Sequence, residues 1–147
     1  MQRGYSDYKR ARAVTADSGE LLLMLFDGAI RLTHQAIARI DTGDVSGKCE
    51  AISRALAIVS ELHGTLDFEV NAEISGNLAS LYVYILENYS RANIEGTIQP
   101  LKEILVVLDT LREGWVGAIQ EVRRNQKDGA KVAGRFADAS SLSVMAG

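Results

Sequence analysis

Along most of the chain, hydrophobic residues recur every three or four positions, the spacing of one helix face, and nowhere do they alternate as in a strand. Four amphipathic segments follow. The first runs from about Ser18 to Asp41, with Leu22, Leu25, Ala29, Leu32, Ala36 and Ile40 as its seam. "DSGE" opens it: Asp17 caps, and Glu20, three residues on, is the reciprocal partner of a capping box. "DTGD", residues 41–44, ends it. The second places Val45, Cys49, Ile52, Leu56, Val59, His63 and Leu66 at alternating spacings of four and three, a bundle seam. The third, Ala72 to about Ile94, has Ile74, Leu78, Leu81, Ile85 and Ala92 as its seam, with Tyr82, Leu86 and Tyr89 as a flanking row. After "NIEGT" the fourth starts near Thr97 as cap, tolerates Pro100 in its first turn, and runs through Leu101, Leu105, Leu108, Trp115, Ile119 and Val122.

Long helices with short connections predict an all-α fold, an antiparallel up-down four-helix bundle over residues 17–125. The pattern stops at both ends. Residues 1–16 hold too few apolar positions for a fifth packed helix and read as a flexible N-terminal arm, although they carry Tyr5 and Tyr8. Residues 126–147, rich in Gly, Ala and Ser, read as a disordered C-terminal tail.

The first helix is more apolar than a bundle seam requires. Six apolar residues follow one another from Leu21 to Phe26. At roughly 100° per residue the seam fills an arc about 80° wide, and Leu23, Phe26, Ile30 and Ile37 fill a second arc of about 60° beside it. Either the core face is broad enough to meet two neighbours, or the second arc lines a groove for a partner. The third helix repeats the surplus, with Val83 and Tyr84 off its seam.

Composition narrows the chemistry. The 147 residues are 47% hydrophobic and 24% charged, ordinary globular proportions for one domain. A net charge of −3 argues against a broad nucleic-acid face, despite Arg3, Lys9, Arg10 and Arg12 near the start. No apolar run reaches about 18 residues and no signal-type apolar region follows the basic start, so a soluble, unprocessed protein is expected, without membrane insertion. The single Cys49 forbids an intramolecular disulfide and points to a reducing compartment, the cytoplasm by default. Neither His34 nor His63 has a Glu three positions earlier, as a bundle di-iron site needs. Cys49 and His63 lie about 20 Å apart along one helix, too far for a nucleophile pair. With no phosphate-binding loop or cysteine cluster, the chain is expected to be no enzyme and to hold neither metal nor cofactor.

Three stretches, "TADSGELLLMLFDGAIR" (15–31), "LYVYILENYSRAN" (81–93) and "LREGW" (111–115), resemble in order and separation the FliS family of bacterial flagellar export chaperones. The resemblance covers about residues 5–122. Ser18 stands where the family's cap proline is usual, and "VNAEI" (70–74) where a Gly-Gly pair is usual, which leaves that turn to Asn71, a residue tolerant of the left-handed conformation. The resemblance implies a cytoplasmic chaperone. Such proteins bind the C-terminal segment of flagellin in grooves between bundle helices, prevent its polymerisation and deliver it to the export gate at the membrane. Groove candidates are then Leu23, Phe26, Ile30, Ile37, Tyr82, Val83, Leu86 and Tyr89. Tyr8, seven residues before Thr15, matches the family's arm tyrosine, and with Tyr5 is expected to cover the groove or touch the gate. A self-associating structural bundle, a weak homodimer through the same strips, is the alternative.

Overall fold

The structure is a computed structural model that describes residues 18–146, with side chains for 19–134. Four helices follow in order: α1 (Ser18–Asp41), α2 (Val45–Gly64), α3 (Ala72–Glu95) and α4 (Gln99–Ala146). No strand occurs among the described residues. The fold is the expected all-α bundle of antiparallel neighbours.

Local chemistry sets the boundaries. Gly43, at φ 72°, lets α1 end in a Schellman turn: its N–H bonds Ile40 O at 3.1 Å, and Asp44 N–H bonds Arg39 O at 2.9 Å. The Asp44 side chain then accepts from Gly47 N–H at 2.9 Å and caps α2. Asn71 caps α3 in the same manner, accepting from Ile74 N–H at 3.0 Å. Its φ of −154° is extended, not left-handed as the sequence suggested, because an N-cap residue works in the extended region. Gly96 closes α3 at φ 66°. The regular part of α4 begins at Gln99, two residues after Thr97, with Ile98 O accepting the first helical bonds.

The core is one apolar column. On α1, Leu21, Leu25, Phe26, Ala29, Leu32, Thr33 and Ala36 are buried, an arc of roughly 140°. The α3 seam differs from its sequence pattern: Ile74 and Leu81 are exposed, whereas Tyr82 and Tyr89 are buried beside Ile85 and Ala92. A tyrosine buries more apolar area than a leucine if its hydroxyl finds a partner, and that of Tyr89 does. It lies 2.7 Å from Thr33 Oγ1, which itself donates to Ala29 O at 2.7 Å. The Thr33 proton is thereby committed to Ala29, so Tyr89 donates to Thr33. Burial raises both Tyr82 and Tyr89 to a pKa of about 12.

By length and a mean hydropathy of 1.2, Gly19–Asp41 is apolar enough to cross a membrane. Its buried arc in the bundle is a sufficient use for that apolarity.

The chain divides into two compact units, residues 1–113 and 114–147. In the second, α4 continues without interruption to Ala146. The sequence pattern ends the bundle at residue 125 and expects a disordered tail over 126–147; the described backbone of α4 runs to Ala146, and every described side chain from Gln120 to Gly134 is exposed, so none of them adds to the core. The segment 126–147 contains no proline, so no residue in it is sterically barred from a helix, although Gly129 and Gly134 lower its helix propensity.

Candidate functional site

The two flanks of α1 meet different neighbours. On one, Gly28 faces α2: a Cβ at this position would stand 3.1 Å from Ile58 Cδ1. Ala51 and Ala55, buried within roughly 60° of Ile58 around α2, keep that seam close. About 150° round α1 from Gly28 lie Leu23 and Ile30. Asp27 stands between them and points to α4, where its Oδ1 receives Arg112 Nε at 2.6 Å. The hydrogen bond to Asp27, its charge and that of Asp109 raise the Arg112 pKa.

The expected groove residues separate on this frame. Leu23, Ile30 and Ile37 form a half-buried row on the flank toward α4. Phe26, in the same sequence arc, is 4% exposed and belongs to the core. Tyr82 and Tyr89, at 4% and 0%, are core residues too and present no surface in this conformation. Leu86 is half-buried, and Val83 is exposed. Of the eight candidates, Leu23, Ile30, Ile37, Val83 and Leu86 thus retain exposed surface, and Phe26, Tyr82 and Tyr89 do not. Tyr5 and Tyr8 lie outside the described residues.

Polar ties pin the helices around these apolar flanks. Glu103 Oε2 on α4 gathers three donors from α3: Asn88 Nδ2 at 3.2 Å, the Tyr84 hydroxyl at 3.3 Å and, as an ion pair, Arg91 at 3.6 Å. Asn93 joins α3 to α2, its carbonyl accepting from Lys48 Nζ at 2.9 Å and its Oδ1 from Cys49 Sγ at 3.3 Å. Cys49 is half-buried in this contact. His63 is also half-buried and meets Tyr82 edge to face, with ring centroids 6.4 Å apart. No group of His, Cys, Asp or Glu able to hold a metal occurs among the described residues. Sequence reasoning missed Asp27 with Arg112 and the Glu103 cluster, because their partners lie up to 85 residues away and no local spacing marks them.

The family model described as flagellar protein FliS matches residues 1–122. Over 133 residues the chain is 30% identical to the flagellar secretion chaperone FliS of Bacillus subtilis, spanning 90% of this chain and 98% of that protein. It is 35% identical over 103 residues to the Salmonella typhimurium protein of the same name, covering 69% and 76% of the two chains, and 30% identical over 122 residues to that of Campylobacter jejuni, covering 83% and 92%.

The chain belongs to the FliS family. That family is one of flagellar secretion chaperones and not of enzymes.

Proposed function

We propose that this protein is a cytoplasmic chaperone for flagellin: it holds the flagellin C-terminal segment against the bundle, keeps it from polymerising, and passes it to the flagellar export apparatus. Family membership supports the class of function. The observation that carries the site is the row of Leu23, Ile30 and Ile37, apolar side chains left half-buried on one flank of α1. An isolated flagellin segment cannot bury its own apolar positions. Laid along this row it exchanges water for protein contact as it folds, a process that buries roughly 1,000–3,000 Å² and loses several kcal/mol to ordering. Val83 and Leu86 on α3 are a second strip for the same segment. The arm with Tyr5 and Tyr8 is the proposed contact to the export gate, and the element that covers the row until flagellin arrives.

Co-purification with a flagellin C-terminal peptide of about 50 residues tests the proposal, since that length suffices for coupled folding over such an area. Leu23→Glu and Ile30→Glu are expected to lose the peptide while keeping wild-type circular dichroism. Retention of the peptide by both variants would move the site off α1. A concentration-dependent mass without any peptide binding would favour self-association instead.

A further inference from the structure

The polar tie between Asp27 and Arg112 occupies an unusual place. It joins α1 to α4 across the flank on which Leu23 and Ile30 lie, one turn before and one turn after Asp27. Both partners are on the surface, with side-chain exposures of 39% for Arg112 and 55% for Asp27, so the bond buries no charge and gives the core little. Its length of 2.6 Å and its use of Nε, the least mobile guanidinium nitrogen, nevertheless fix the Arg112 side chain over the seam. On α4 the apolar residues one and two turns before Arg112, Leu108 and Leu105, are buried and half-buried. The pair therefore bridges two helices whose facing apolar residues, Leu23 and Ile30 on α1 and Leu105 on α4, are left half-buried.

The geometry points to Asp27 and Arg112 as a latch across the α1–α4 seam, a pair of positioning residues that limits access to Leu23 and Ile30 and opens when a client segment docks. The inference rests on the chaperone reading for the client, but not for the latch itself. A latch of two exposed charges is weak, and that suits it to this place: the closed state is favoured only severalfold, so a client with modest preference for the open seam shifts the population. Asp109, the other carboxylate acting on Arg112, gives the guanidinium a charge to rest near when Asp27 releases it.

Four variants test this: Asp27→Asn, Arg112→Gln, the exchange Asp27→Arg with Arg112→Asp, and Asp44→Asn as a control that breaks the exposed Arg39–Asp44 pair, 3.3 Å long, elsewhere on the bundle. Two readouts are taken on the full chain: fluorescence of the apolar dye anilinonaphthalene sulfonate, and the association rate of a flagellin C-terminal peptide. In the two single variants both signals are expected to rise about two- to fivefold, the range open to an exposed ion pair. The exchanged pair returns both toward wild type, the control leaves them unchanged, and high salt brings wild type toward the single variants. Single variants equal to wild type in both readouts, or a loss that the exchange does not repair, overturn the latch. Dye signals that follow the latch while no protein binds the peptide would uphold the latch and reject flagellin as the client.

Discussion

The two flanks of α1 come from one stretch of apolar sequence and are packed in opposite ways. Toward α2, a glycine stands against Ile58 at a distance that leaves no room for a methyl group without adjustment, and small buried alanines line the partner helix. Toward α4, larger side chains at Leu23, Ile30 and Ile37 remain half-buried, and the polar bridge from Asp27 to Arg112 spans the flank. A seam of small residues reaches close packing and is finished. A seam of large residues held by charges at its edge keeps apolar surface in reserve. What an apolar residue does in this helix depends on its angle around the axis, not on its hydrophobicity.

The strongest test of that contrast places a charge on the buried arc. Leu25→Glu puts an unpaired carboxylate among residues that are at most 8% exposed, which is expected to cost about 3–5 kcal/mol and to abolish helicity by circular dichroism. Leu23→Glu, two residues earlier, should leave the spectrum intact. Next comes the closed flank. Gly28→Leu overfills the space before Ile58 and should destabilise by about 1–3 kcal/mol in a denaturant titration. Gly28→Ala asks Ile58 Cδ1 to give only slightly and, with alanine's better helix propensity, should fall within about 1 kcal/mol of wild type.

A smaller effect is expected at Tyr89→Phe. The change removes one buried donor but leaves Thr33 bonded to Ala29, a loss of about 1 kcal/mol by thermal melting. Because burial raises the folded Tyr89 to about 12 from an ordinary 10.0, its contribution is whole below pH 10.0 and lost as pH climbs through about 12. Wild type should therefore lose stability over that window more steeply than Tyr89→Phe. The smallest effect is expected from ending the chain after Gln126. This removes exposed helix from the second unit and no buried residue among those described, so the melting temperature should barely move.

Periodicity recovered the helices because their faces repeat locally: Leu25, Ala29, Leu32 and Ala36 were legible as core from spacing alone. It failed on α3, where Leu81 looked like the better core residue and Tyr82 and Tyr89 like a flank. The burial of Tyr89 depends on a hydroxyl partner 56 residues away, and a pattern confined to one helix holds no record of it. The same blindness hid Phe26, which shares a sequence arc with Leu23 and Ile30 but falls inside the core once three neighbours surround α1. Beyond residue 125 the apolar repeat ends where the pattern has it, and every described side chain from there to Gly134 is exposed. The described backbone of α4 runs on to Ala146 with no buried face to mark it in the sequence.

The Tyr89 hydroxyl also has a spectroscopic consequence. Its proton sits between two fully buried oxygens in a single donor chain that runs from Tyr89 through Thr33 to the Ala29 carbonyl. Water reaches it only when the bundle separates far enough to part α1 from α3, so its exchange with solvent is slow and its resonance should stand visible in a proton spectrum where other hydroxyls vanish. That one line would time the breathing of the bundle's interior from within, without a label and without perturbing either apolar flank.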